Sequence, residues 1–209
     1  LLDSLGRDAA CDAIMIERPL PEGFDDMRFW DAIPAEKDVD ALSSLNMGRL
    51  FTSRSFGDIE SGRFFSPCTA LAVIRMLKHY GVEVSGKRVA VVGRSSVIGK
   101  PVSHMLTCLD ATVTLCHSRT KDIKEVLKSA EIIVLAIGRV RWLKKEMAGE
   151  NQVIIDVGTN IDEAGKMCGD ADFEDLKEKA GALSPVPGGV GPVTLACLLE
   201  AAVKAAEGN

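Results

Sequence analysis

The feature that most constrains this chain is the run Val-Ala-Val-Val-Gly-Arg-Ser-Ser-Val-Ile-Gly-Lys-Pro at positions 89–101. Four β-favouring apolar residues enter a turn bounded by glycines, and the turn opens a helix. In such a unit the turn's backbone N–H groups and the positive end of the helix dipole converge, which makes a ready site for phosphate. The run is not a clean Gly-x-Gly-x-x-Gly: Ser95 stands where the second glycine would be, and Gly99 comes one residue late. Taken alone, a strand-to-helix turn without a ligand is the alternative reading.

Similar apolar runs recur at 88–93, 112–117, 132–137 and 152–158, separated by segments long enough for crossover connections. Each is nearly continuous in Val, Ile, Leu and Ala, the pattern of strands buried on both faces. The expected fold is α/β, a Rossmann-like doubly wound parallel sheet with helices on both sides. Just upstream, residues 69–80 predict a helix that connects two domains: Leu71, Ile74 and Leu77 share a face, Thr69 is placed to cap it with Pro67 before it, and Gly81 stops it.

Further upstream, residues 12–17 read as a strand ended by Pro19 and Pro21, and residues 1–10 as part of the helix feeding it rather than as a signal peptide. The polar, Gly- and Ser-rich stretch 54–62 reads as a surface loop. One strand and part of a helix are too little for a domain, so a second α/β domain is expected here in incomplete form. At the other end, 193–206 predicts an amphipathic helix opened by Pro192, which needs an apolar surface to cover and is expected to return to the N-terminal region.

Bulk properties exclude several classes. A net charge of −5 argues against a nucleic-acid backbone as the main partner. The longest apolar strips are one strand long, short of the roughly 20 residues that a membrane-spanning helix needs, so no membrane partner is expected. The six cysteines, Cys11, Cys68, Cys108, Cys116, Cys168 and Cys197, form no Cys-x-x-Cys pair, and the three histidines show no ligand spacing beside them. They read as reduced thiols of a cytoplasmic protein with no structural metal.

The end of the second strand sharpens the reading of the glycine turn. An acid that would bond the ribose hydroxyl of NAD is absent from Cys116-His117-Ser118-Arg119-Thr120. Small hydroxyls with an arginine suit a 2′-phosphate instead, and Arg94 adds a second cation in the first turn. NADP is therefore the expected cofactor.

Six stretches together resemble the bifunctional methylenetetrahydrofolate dehydrogenase/cyclohydrolase family: Glu-Lys-Asp-Val-Asp (36–40), Ser-Pro-Cys-Thr (66–69), Gly-Arg-Ser-Ser-Val-Ile-Gly-Lys-Pro (93–101), Ala-Thr-Val-Thr-Leu-Cys-His-Ser-Arg-Thr (111–120), Asp-Val-Gly-Thr-Asn (156–160) and Pro-Val-Pro-Gly-Gly-Val-Gly-Pro-Val-Thr (185–194). The resemblance runs the length of the chain. It implies the C-terminal portion of a folate-binding catalytic domain at 1–69, an NADP-binding Rossmann domain at 70–187, and a helix at 188–209 that returns to the catalytic domain. It also implies that Gly93, Arg94, Ser95, Ser118, Arg119 and Thr159 contact NADP. Asp40 would hold the pterin of a tetrahydrofolate derivative, with Gly191 and Thr194 lining the same site. A turn at 187–192 rich in glycine makes sense there, because absent side chains let flat rings approach the backbone. The implied reaction moves a hydride from 5,10-methylenetetrahydrofolate to NADP, and water then opens the methenyl product to 10-formyltetrahydrofolate. A homodimer built through the Rossmann domain is implied as well.

The sequence departs from the family pattern at several points. Tyr80 is the sole tyrosine, with Val84 four residues on, so the Tyr-x-x-x-Lys arrangement used in the hydrolytic step is not among these residues. Glu17 takes the place of a glutamine, which makes it a candidate for a catalytic role beside Asp40, or else a strand-end carboxylate paired with Arg18 or solvent. Ala41 and Ala70 replace glycine and proline. Two rival readings follow: a module that holds NADP without turning over folate, and another two-domain NADP oxidoreductase such as a shikimate-dehydrogenase-like enzyme, which would not share the Pro-Gly-Gly-Val-Gly-Pro run.

Overall fold

A computed structural model describes residues 1–17, 20–24 and 26–208. By contact the chain divides into two compact units, Leu1–Cys68 with Leu195–Asn209, and Thr69–Thr194.

The first unit carries helices α1 (Leu2–Arg7), α2 (Asp26–Trp30), α3 (Ser44–Thr52) and α4 (Phe56–Glu60). Trp30, Ile33, Val39, Leu42, Leu50, Phe56 and Ile59 are buried in it. The loop expected at 54–62 is in fact built around α4. Ser55 Oγ accepts the Asp58 N–H at 3.3 Å while Asp58 accepts the Ser55 N–H at 3.0 Å, a reciprocal capping box that nucleates the helix. Phe56 and Ile59, three residues apart, then drive its inner face into the core. Composition hid this short helix, whereas Ser-x-x-Asp with an i, i+3 apolar pair reveals it.

The strand expected at 12–17 is reduced to one parallel bridge, Ile14 with Asp38, where Ile14 N donates to Lys37 O at 2.7 Å. The partner segment turns on both sides of the bridge, with Lys37 N bonded to Pro34 O and Ala41 N to Asp38 O. It is extended too briefly to form a ladder. Pro19, expected to end that strand, and Arg18, considered as a partner of Glu17, lie outside the described residues.

The second unit begins in α5 (Cys68–His79) and continues through β1 (Arg88–Val92), α6 (Gly99–Thr107), β2 (Thr112–Cys116), α7 (Ile123–Ser129), β3 (Ile132–Leu135), β4 (Val153–Asp156), the hairpin strands β5 (Asn160–Ile161) and β6 (Met167–Cys168), α8 (Phe173–Leu176) and β7 (Ala182–Leu183). Helix α9 (Val190–Ala206) closes the chain. Five strands form a parallel sheet in the order β2-β1-β3-β4-β7. The Rossmann-like α/β architecture read from the sequence is the observed one.

Alternate residues of the central strands, Ala90 and Val92, Ile133 and Leu135, and Ile154, join Leu127, Leu143 and Leu176 in one buried cluster. Helix α6 lies against β1 and β2 and buries Val102, Met105 and Leu106. Strand β2 is the exception to burial on both faces. It is the sheet's edge, and Thr112 and Thr114 are exposed along it. The alternating threonines already carried that signal. No helix among the described residues is long and apolar enough to cross a membrane.

Candidate functional site

The strand order reverses direction at β1, with β2 on one side and β3 on the other. In open parallel sheets the crevice beyond the carboxyl ends at such a switch point is where ligands bind. Gly93 follows β1 with φ of +117°, and a Cβ there would run into the Ala136 carbonyl at the end of β3. A Cβ on Gly99 would strike the Gly93 carbonyl. Both glycines are thus demanded by close backbone approach, as a phosphate-cradling turn requires.

Ser95 explains its own departure from the dinucleotide pattern. Its Oγ accepts the N–H groups of Ile98 (3.1 Å) and Gly99 (3.3 Å), and its carbonyl accepts the Lys100 N–H at 3.0 Å. Amides expected to face a phosphate are therefore taken by Ser95, whose own hydroxyl hydrogen is left to donate outward. Arg94 and Ser95 are exposed at the mouth of the turn.

Beyond β2, the turn is held by His117 N to Thr120 Oγ1 (2.8 Å), Thr120 N to His117 O (2.9 Å) and Arg119 N to His117 Nδ1 (3.2 Å). Ser118 and Arg119 are exposed on it. Val92 pairs with Cys116 in parallel, so Arg94 and Ser118 each follow the last residue of adjacent strands by two positions. Burial pushes the Cys116 thiol up, so this strand end carries no thiolate. The result is a cationic, hydroxyl-bearing rim with no carboxylate between Cys116 and Thr120.

On the other side of the crevice, Thr159, Gly191 and Thr194 line one cavity of about 460 Å³, walled also by Asp156, Gly158 and the 185–192 turn. The Thr194 Oγ1 is buried there without a hydrogen-bond partner. A buried hydroxyl left unpaired at the wall of a cavity is a group waiting for a ligand atom.

Two acids that the sequence reading did not single out organise this side. Asp156, at the end of β4, accepts the N–H groups of Gly158 (2.9 Å), Asp170 (3.1 Å) and Ala171 (2.7 Å). Burial pushes its carboxyl up to about 6, against the pull of those three donors and with a further push from the Asp170 charge. Asp170 accepts the N–H groups of Ile137 (2.7 Å), Gly138 (3.1 Å) and Arg139 (2.7 Å), and Nδ2 of Asn160 (3.0 Å). Asp156 and Asn160 fall within the Asp-Val-Gly-Thr-Asn stretch. Asp170 follows an unremarkable Cys168-Gly169 and left no pattern to read.

In the first unit, Asp40 is half-buried and its Oδ1 accepts the Cys68 N–H at 3.3 Å. The acidic segment around it is not merely a solvated surface. Asp38 is buried, holding the N–H groups of Leu42 and Ser43 and Nδ2 of Asn46. Ala41, where the family pattern has glycine, takes the left-handed φ of +55°. Glu17, three residues beyond the bridged Ile14, is exposed. Among the described residues no group of three or more His, Cys, Asp or Glu could hold a metal ion.

This arrangement fits a dinucleotide phosphate: a glycine turn closed to Cβ atoms with Arg94 and the Ser95 hydroxyl at its mouth, Ser118 and Arg119 after β2, and an orphaned hydroxyl in the cavity beyond. Residues 67–209 match the family model described as the NAD(P)-binding domain of tetrahydrofolate dehydrogenase/cyclohydrolase. The chain belongs to this family. Among its relatives, the bifunctional protein FolD of Elusimicrobium minutum is 45% identical over 200 residues, 96% of this chain and 69% of that protein. A bifunctional 5,10-methylenetetrahydrofolate dehydrogenase/cyclohydrolase structure from Thermoplasma acidophilum is 45% identical with a TM-score of 0.87, covering 99% of this chain and 71% of that one. The Trypanosoma brucei methylenetetrahydrofolate dehydrogenase-cyclohydrolase, solved with NADP cofactor and inhibitor, is 35% identical with a TM-score of 0.88, covering 99% and 70%.

Proposed function

We propose that this chain is an NADP-dependent methylenetetrahydrofolate dehydrogenase, which oxidises 5,10-methylenetetrahydrofolate to 5,10-methenyltetrahydrofolate. The observation that carries the reading is the strand-end crevice, where the Gly93–Gly99 turn faces a β2 rim bearing Ser118 and Arg119 and no acid. Family membership and the NADP complex of the trypanosomal relative support it.

In this reading Gly93, Arg94 and Ser95 hold the pyrophosphate, Ser118 and Arg119 hold the 2′-phosphate, and Thr159 contacts the other half of the dinucleotide. Gly191 and Thr194 line the folate site, where the Thr194 hydroxyl gains the partner it lacks. Asp40 accepts paired N–H bonds from the aminopyrimidine edge of the pterin. Bound NADP would supply the hydride acceptor. The protein's own contribution is position and electrostatics, because a hydride transfer between bound rings needs no nucleophile from the chain. Hydrolysis of the methenyl product is a second activity that needs a proton-handling group, for which Glu17 is the candidate among these residues. The resemblance extends the proposal to a cytoplasmic homodimer.

The test is the absorbance of reduced nicotinamide when the purified chain meets NADP and 5,10-methylenetetrahydrofolate. Reduction that depends on both is the expected result. NADP binding without reduction would make the chain a nucleotide-holding module instead.

A further inference from the structure

We propose that Asp170, seated by Asp156, is a positioning residue for the nicotinamide half of the dinucleotide, fixing the loops that follow β3 and β4. The proposal rests on the NADP reading above.

Asp170 is fully buried, yet among the described residues its hydrogen-bond partners are four neutral N–H donors: the amides of Ile137, Gly138 and Arg139 and the side chain of Asn160. Its backbone is anchored in turn, since its N–H reaches Asp156 Oδ1 at 3.1 Å and its carbonyl accepts the Leu143 N–H at 2.9 Å. Burying carboxylates without a cation is a poor way to gain stability, and an apolar pair would do as well or better. What the carboxylates achieve is placement. A trans peptide points its C=O opposite to the N–H of the next residue. Three consecutive amides drawn onto Asp170 therefore turn the carbonyls of Ala136, Ile137 and Gly138 away from it. The Ala136 carbonyl then sits where a Cβ of Gly93 would be, against the phosphate turn itself.

The loop after β4 is clamped in the same way. Asn160 bonds Asp170, Gly158 bonds Asp156, and Gly158 and Gly169 have no room for a Cβ beside those carboxyl groups. Thr159 lies between two clamped residues and lines the cavity. With a 2′-phosphate at the β2 rim and pyrophosphate at the β1 turn, a dinucleotide laid across the switch point extends its remaining half over the ends of β3 and β4. Those are the loops that Asp170 holds.

The experiment compares NADP with 2′,5′-ADP, which has the 2′-phosphate but no nicotinamide half, by calorimetry on the intact chain and on Asp170→Asn. In the variant an NH₂ group replaces a carboxylate oxygen and faces N–H donors. The expected result is unchanged affinity for 2′,5′-ADP and NADP binding weakened about tenfold or more, the scale of lost charge-assisted hydrogen bonds. Equal loss for both ligands, or no loss for either, overturns the proposal. Asn160→Ala removes one donor from the clamp while leaving the buried carboxylate in place, so it decides the matter if Asp170→Asn fails to fold. It should weaken NADP by roughly threefold with 2′,5′-ADP again unchanged, and an unchanged NADP affinity overturns the proposal. If the unaltered chain binds neither ligand, the nucleotide reading itself falls, an outcome distinct from the others.

Discussion

Asp156→Asn gives the structure a quantitative test through pH. The carboxyl of Asp156 is raised from its ordinary value of 3.8 to about 6, first by burial and then by the neighbouring Asp170 charge, with three backbone donors opposing. A folded-state pKa above the unfolded one means that the folded protein holds the proton more tightly. The stabilisation is fully present below pH 3.8 and is lost as pH rises through 6. Moving a carboxyl from 3.8 to about 6 corresponds to about 3 kcal/mol over the whole range. Between pH 5 and pH 7 the same titration removes about 1 kcal/mol, and above pH 7 almost nothing more. Asparagine has no proton to lose at this position. The stability of the natural chain relative to Asp156→Asn should therefore fall by about 1 kcal/mol from pH 5 to pH 7 and then level off. Asp58, Glu131, Asp162 and Asp172 are held below the usual carboxylate range by their hydrogen bonds, and they drop out of the difference because both proteins carry them. Urea unfolding at pH 5, 6, 7 and 8 measures it. A difference that stays flat, or rises with pH, would refute the assignment of a buried, desolvated carboxyl at the end of β4.

Two further outcomes concern the folate side. Asp40→Ala should weaken folate binding by roughly tenfold or more, the loss of a charge-assisted contact, while NADP affinity stays put. Unchanged folate affinity in a folded variant removes Asp40 from the site. The 209-residue chain should hydrolyse 5,10-methenyltetrahydrofolate roughly 100- to 10,000-fold more slowly than a version preceded by a Tyr-x-x-x-Lys segment, the usual contribution of general acid–base catalysis. Matching rates would assign the proton handling to a residue already present, with Glu17 the first to mutate.

The sheet was legible because its strands are central and uniformly apolar: β1, β3 and β4 lie within the runs that the sequence marks. The glycine turn was legible as well, since Gly93 and Gly99 are forced by backbone contact that no other residue permits. The short pieces were not. β5, β6 and β7 are two residues each, below any periodicity. Helix α4 was hidden by the glycines and serines around it, although its capping box is local and readable in retrospect. The Asp156–Asp170 clamp joins residues 14 apart through backbone amides, and an amide donor has no sequence signature. The same holds for Ser95: a serine in a glycine position looked like a weakened motif, and only the geometry reveals that its hydroxyl holds the amides of Ile98 and Gly99 where α6 begins.

The central claim is a site shaped for a dinucleotide with a 2′-phosphate, and the most direct measurement is a pair of calorimetric titrations, NADP and NAD, into the same preparation. Arg119, Ser118 and Arg94 at a strand end without an acid predict that NADP binds more tightly by roughly tenfold to a hundredfold, the value of one charge-assisted phosphate contact. Equal affinities, or tighter binding of NAD, would contradict it.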